Sequence, residues 1–383
     1  MNFNEKIVFK KFLSDNTNFF LLSAISLSLI VWIIQAVNFL DFISDDGHSF
    51  DIYFYFTVLN FPKIFKNILP IIFFISLFYT ISKYEENNEL KIFWINGIKK
   101  IKFSNVLIKY TLLFFLFQLF LTTLLSPALQ SQARLQLKDS NIDFFPSLMQ
   151  QRKFIDTVDK LTIFIENKKS SEEFENIFLK DDLGTNKSQI IFAEKGFLKE
   201  IDGARKLILF DGKFLNTDEK KTTVFNFSKT EFDLSNYLTK SITHPKVQEL
   251  NTYFLLKCNY SFYIDKVKER YYKYQNANIL CNKNFVAEIN QELFDRLIKP
   301  IYLFLITIIA CFLLTKYKEA HKYKTYKSAI FALGIIIIIF SEMSANYAGK
   351  NLTNTATFYI LPLALGLIAY LILRNKLIFR KII

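Results

Sequence analysis

Nineteen consecutive residues without a charge, Phe19 to Val37, narrow the choice of fold more than any other feature of this chain. A helix of that length crosses about 30 Å of hydrocarbon, and a bilayer core accepts only segments whose backbone hydrogen bonds close internally. Lys6, Lys10 and Lys11 precede the run as in a secretory signal. The run is too long for a signal and no small-x-small cleavage site follows, so it reads as a retained anchor. Five more runs follow. The second covers about Asn67 to Ser82, shortened by Lys63 and Lys66, with Pro70 in its first turn, where proline is least disruptive. Val106 to Ser126, closed by Pro127, is the third. Pro300 opens the fourth, Ile301 to Thr315, which borrows Leu297 and Ile298 for length. Ala329 to Ala348 is the fifth, and Ala356 to Leu373, containing Pro362 and Gly366, is the sixth.

Loop charges orient these spans. The 83–102 loop and the 316–327 loop hold five Lys each, and the chain ends on Arg374, Lys376, Arg380 and Lys381. Basic loops stay inside. The 41–60 loop carries Asp41, Asp45, Asp46 and Asp51 with no Lys or Arg, and the 349–355 loop has Lys350 alone. Both therefore face outward. Alternation places both termini in the cytoplasm and residues 128–296 outside. The composition agrees: 51% hydrophobic and 22% charged residues coexist only if the apolar content is gathered in blocks. The net charge of +13 reflects membrane orientation, since no basic stripe interleaves with exposed aromatics to bind nucleic acid.

The fold class is thus an α-helical polytopic membrane protein of three plus three spans with an inserted outer domain. Its parts are an N-terminal membrane half over 1–127, the insert over 128–296 and a C-terminal membrane half over 297–383. Leu161–Glu166, Gln189–Ala193, Lys206–Phe210 and Thr222–Phe227 are β-branched or aromatic runs separated by Gly, Asp, Asn and Lys. They point to a β-sandwich or open jelly roll. Residues 245–296 turn more helical, and the stretch from Asn284 runs into span four. Cys258, Cys281 and Cys311 lack metal-ligand spacing, and His48, His244 and His321 are scattered, so no metal site is expected. Cys258 and Cys281 would share an oxidising compartment, where a disulfide is one option and unpaired thiols are the default. Gly184, Lys187 and Ser188 have the wrong spacing for a P-loop, and no nucleophile sits with a base. No catalytic residues are assigned and no cofactor is expected on this chain.

The most informative short segment is the inner loop. Wound as one helix over about 84–101, it would place Leu90, Phe93, Trp94, Ile98 and Ile101 on an apolar face and Glu85, Glu89 and Asn96 in a polar sector. An interfacial helix anchored by Trp94 is the plain reading. The sharper one is a helix that docks on a cytoplasmic partner through its acids.

Here the sequence resembles the lipopolysaccharide export permeases of the LptF/LptG family. Glu89, Leu90, Gly97 and Ile98 are similar to that family's segment after the second span, with Lys99 in place of the usual small polar residue. Glu292, Leu293, Arg296 and Pro300 look like its E-L-x-x-R-x-x-x-P approach to span four. Ser344, Gly349 and Lys350 sit where the family ends span five, and Pro127 fits the proline closing span three. Arg152, Lys153 and Phe154 look more like the LptF paralogue than like the Trp-containing segment expected of LptG.

The resemblance implies an inner-membrane permease subunit of an ABC transporter that extracts lipopolysaccharide and passes it to a periplasmic bridge. The insert would be a periplasmic jelly roll. Its partners would be a paralogous LptG-like permease, a dimeric LptB-like ATPase that carries ATP and Mg, and a single-span LptC-like periplasmic protein. The inner loop becomes a coupling helix, with Glu89 as the main ATPase contact, Glu85, Glu86 and Trp94 in support, and Gly97 allowing close packing. Lipid A phosphates favour basic side chains, yet span one offers only Gln35 and Asn38 in its outer half. Lys63, Lys66, Lys299 and Lys350, at the outer ends of other spans, are the substitutes, with snorkelling as their plainer role. Glu342 inside span five is a gate or interface candidate. A membrane-anchored sensor or scaffold, and an ABC exporter of another lipid or lipoprotein, are the alternative readings.

Overall fold

A computed structural model describes residues 3–40, 50–140, 151–158, 161–170, 172–184, 187–201, 204–218, 221–233, 245–264, 270–274, 277–349 and 352–379. Two compact units emerge: residues 1–33, 60–130 and 246–383 form the first, and 34–59 with 131–245 the second.

Among the described residues six helices are long and apolar enough to cross a membrane, as the hydropathy runs require. α1 spans Phe3–Asn38. α2 (Phe50–Leu59) occupies part of what reads in the sequence as the acidic 41–60 loop, and α3 (Phe61–Glu86) follows directly. Lys63 and Lys66 lie inside α3 and do not shorten it, because helical hydrogen bonds propagate through charged residues whose stems snorkel. The helix expected across 84–101 is broken. Its pieces are the end of α3, a short α4 (Leu90–Ile95) and the start of α5 (Lys100–Phe120). Asn88 at φ 62° and Gly97 at φ 75° make the breaks, both in the left-handed region that Asn and Gly tolerate. α5 passes through a π turn (Leu121–Leu125) into α6, Ser126–Ser140.

The second unit holds six antiparallel strands, each paired with the next. They are β1 (Phe154–Val158), β2 (Leu161–Lys168), β3 (Glu173–Gly184), β4 (Lys187–Ile201), β5 (Ala204–Asp218) and β6 (Lys221–Asp233). The expected inserted sheet domain is present, and its described strands form a meander with no Greek-key crossover among them. Leu161, Ile163, Ile165, Leu179, Ile191 and Leu209 are among the residues that bury one face. On the other, Phe154, Phe164, Phe178 and Phe192 are successive cross-strand partners. β3 escapes the sequence reading because Asn176, at φ 52°, switches its buried parity from Phe174 to Ile177 and so erases the alternation.

The chain returns to the first unit through α7 (Thr252–Tyr263) and a hairpin of β7 (Arg270–Tyr274) and β8 (Ala277–Cys281). Cys258 and Cys281 are joined as a disulfide that ties α7 to β8, in place of the default unpaired thiols. From Lys283 a nearly continuous helical rod runs to Thr315 as α8 (Lys283–Leu293), a π turn (Phe294–Ile298), a 3-10 turn (Lys299–Ile301), α9 (Tyr302–Cys311) and a closing 3-10 turn. α10 (Tyr323–Ala348) and α11 (Leu352–Phe379) complete the chain.

Prolines explain where this bundle departs from regular helix. Proline has no N–H, so the carbonyl four residues earlier loses its partner. In hydrocarbon an orphan carbonyl is costly. Three such carbonyls are rescued by side chains from another element. For Pro70 the freed Lys66 carbonyl accepts from Gln118 Nε2 at 2.8 Å. For Pro127 the Thr123 carbonyl accepts from Thr252 Oγ1 at 2.6 Å, and for Pro300 the Arg296 carbonyl accepts from Thr122 Oγ1 at 2.8 Å. The last rescue joins the two π turns directly, and the one before it ties the first π turn to Thr252.

Candidate functional site

At the lysine-rich end of the first unit, α4 is held by its aromatic face. Leu90, Phe93 and Ile98 are buried. Phe93 meets Phe9 and Phe103 edge-on at 5.4 and 5.0 Å, and Phe12 packs on Phe103 and Tyr84. Such pairs add about 0.5–1.5 kcal/mol each beyond burial. The loop is therefore packed on the start of α1. α4 ends in a Schellman motif: the Ile98 N–H reaches the Phe93 carbonyl and the Gly97 N–H the Trp94 carbonyl. Gly97 is glycine because of its φ of 75°; a Cβ there would meet nothing within 4 Å, so close packing within the chain is not its reason.

The expected acidic contacts divide. Glu85 Oε1 accepts from the Lys318 backbone N–H at 3.0 Å, and Glu86 Oε1 pairs with Lys327 at 2.7 Å. Lys91 pairs with Glu319 at 3.4 Å, while Lys100 donates to the Leu314 carbonyl and lies 3.9 Å from the Tyr317 ring centroid. The Glu319 carboxyl is held below the usual carboxylate range, first by its own backbone N–H and then by Lys91. The 83–102 and 316–327 loops thus knit into one surface, a link that sequence spacing gives no sign of. Among the described residues Glu89 accepts only from Asn87 Nδ2, at 3.0 Å. Beside it Ile92 and Ile95 are 50% and 84% exposed, with Trp94 half-buried. An acid flanked by bare isoleucines on an anchored turn suits a protein groove.

The opposite end is organised by Arg296. This side chain is fully buried. Its Nε donates to Glu292 Oε1 at 2.7 Å, Nη1 to the Leu250 carbonyl and Thr252 Oγ1 at 2.8 and 2.9 Å, and Nη2 to the Gln248 and Val247 carbonyls at 3.1 and 3.5 Å. All five N–H donors of the guanidinium are used. The motif residues Glu292, Leu293, Arg296 and Pro300 are therefore a clamp. Glu292 neutralises the arginine, Leu293 joins the core around the disulfide, and Pro300 frees the carbonyl that Thr122 takes.

One helical turn on, Lys299 pairs with Glu342 at 2.6 Å, a partnership the sequence does not reveal, and lies 3.7 Å from Asp295, four residues before it. Lys66 lies within Coulomb range of Glu292, Asp295, Arg296 and Lys299, and Lys63 within that of Lys246, Glu249 and Glu292. The structure thus gathers Lys63, Lys66, Lys299 and Glu342, four of the candidates for substrate contact, into one ionic cluster. Gln35 and Asn38 belong to the second unit, and Lys350 lies outside the described residues. Next to it, Gly349 admits the close approach of α8, because a Cβ would lie 2.3 Å from the Ala287 carbonyl oxygen.

Two comparisons bear on this arrangement. The family described as lipopolysaccharide export system permease LptF/LptG matches residues 11–376. An uncharacterized protein of Rickettsia prowazekii (strain Madrid E) is 22% identical over 375 residues, which cover 96% of this chain and 99% of that protein.

Proposed function

Because the chain belongs to the LptF/LptG family of lipopolysaccharide export system permeases, we propose that it is the LptF-type subunit of an inner-membrane ABC transporter with both termini in the cytoplasm. The family implies lipopolysaccharide export, and its permeases are transport components rather than enzymes. In this reading a paralogous permease completes the membrane pathway, a dimeric ATPase holds ATP and Mg, and a single-span periplasmic protein helps pass lipopolysaccharide to the bridge. The observation that carries the proposal is the anchored turn around Glu89. It presents an acid and two exposed isoleucines on a base that packs against α1, so a push on α4 reaches the first span directly.

Substrate contact falls to the basic cluster at the other end. Lys66 has no ion-pair partner within 4 Å among the described residues, which leaves its charge available to a lipid A phosphate. Lys63 feels the charge of Lys246, and neither has an ion pair among the described residues. A photo-crosslinker placed at residue 63, 66 or 350 of the assembled transporter is expected to capture lipopolysaccharide, with residue 257 on α7 as the silent control. No capture from any of the three removes them from the pathway.

A further inference from the structure

A groove on the membrane-embedded unit, away from the residues assigned to coupling and substrate, has the chemistry of a lipid site. α5, α9 and α11 enclose about 810 Å³ between Lys102 and Lys109 on one side and Pro362 and Gly366 on the other. Besides Pro362 and Gly366 its walls are Val, Ile, Leu and Phe, with Lys102, Asn105, Lys109 and Tyr370 as the polar members. Lys102 is neutralised, since its ammonium contacts both carboxylate oxygens of Glu5 at 2.8 Å. Lys109 is exposed to the groove's surroundings and has no ion pair among the described residues. It stands nine residues into α5, about 14 Å along the helix. A cation at that depth ordinarily has a partner. Tyr370 donates to Asn105 Oδ1 at 3.1 Å, which leaves the Asn105 amide N–H groups as donors beside it. Beyond Val106 a second groove, of about 560 Å³, brings Lys6 and Lys10 to the same end.

We infer that this groove binds an anionic glycerophospholipid of the leaflet at the lysine-rich end, its phosphate on Lys109 and Asn105 and an acyl chain along α9 and α11 towards Gly366. The length fits: from Tyr370 to Pro362 the wall runs about 12 Å along α11. The space fits as well, because a Cβ on Gly366 would meet nothing within 4 Å. Charge complementarity selects the anionic lipid, since four lysines and a single glutamate face this end of the two grooves. This site needs only that the helices lie in a bilayer, so it stands or falls apart from the transport role proposed above.

The test is native mass spectrometry of the full-length chain in detergent, titrated with phosphatidylglycerol or phosphatidylcholine of matched acyl chains. Phosphatidylglycerol is expected to bind at least about fivefold more tightly, the value of one lysine near an anionic headgroup. Lys109→Gln should erase that preference and leave phosphatidylcholine binding unchanged. Gly366→Leu, which fills open space, should weaken both lipids, and Leu363→Trp serves if that variant does not fold. Lys283→Gln, on α8, should change nothing. Equal affinity for the two lipids in the unaltered chain overturns the inference. So does a Lys109→Gln variant that keeps the preference, which would mean that Lys109 only snorkels.

Discussion

The two ends of the helical unit use the same chemistry at different depths. At the lysine-rich end Glu86 and Lys327, and Lys91 and Glu319, meet on the surface, with one partner of each pair at least 57% exposed. At the other end Arg296 and Glu292 are 0% and 7% exposed, and every guanidinium donor has an acceptor. Exposed pairs contribute about 0–1 kcal/mol, whereas breaking a buried pair costs about 3–5 kcal/mol. The comparison separates construction from contact. The buried end fixes where the chain re-enters the bundle, and the exposed end leaves charges that a partner can compete for.

The largest expected effect breaks the buried side of this comparison. Arg296→Met should lower stability by about 3–5 kcal/mol, read as denaturant or thermal unfolding in detergent, because Glu292 and the carbonyls of Val247, Gln248 and Leu250 lose their donors together. A loss under about 1 kcal/mol would mean that the clamp is dispensable. Next comes the proline rescue. Thr122→Val should cost about 1–2 kcal/mol, since it strands the Arg296 carbonyl. In a Pro300→Ala background, where the backbone supplies its own donor, the same change should cost less. An unchanged cost would show that Thr122 acts through packing alone. The smallest effect belongs to the surface. Glu86→Gln should move stability by about 0–1 kcal/mol, and the change should vanish in high salt. A loss as large as that of Arg296→Met would erase the distinction between the ends.

These contrasts mark what a sequence carries. The spans are legible because nineteen uncharged residues have no other stable fate in a bilayer. The clamp is half legible: Glu292 and Arg296 stand four apart on a helix, which announces their pair, but the carbonyls of Val247, Gln248 and Leu250 arrive through a tertiary fold that no spacing encodes. Likewise Pro70, Pro127 and Pro300 can be located from sequence, while Gln118, Thr252 and Thr122 cannot be matched to them without coordinates. Treating residues 84–101 as one helix failed for a local reason. The apolar period continues through the segment, yet Asn88 and Gly97 adopt left-handed backbone and restart the helix twice. Of the acids expected to face a partner, Glu85 and Glu86 already serve the 316–327 loop, which lies more than two hundred residues away in sequence. Glu89 keeps its role as the proposed contact.

That makes Glu89 the place to test the central claim. Affinity purification of the unaltered chain from its native membranes should bring down an ATP-hydrolysing subunit. Glu89→Lys should lose that subunit while keeping the unfolding midpoint of the unaltered chain, because among the described residues the side chain is held by a single hydrogen bond, from Asn87. Retention of the ATPase by the Glu89→Lys variant, with lipopolysaccharide release intact, would contradict the account.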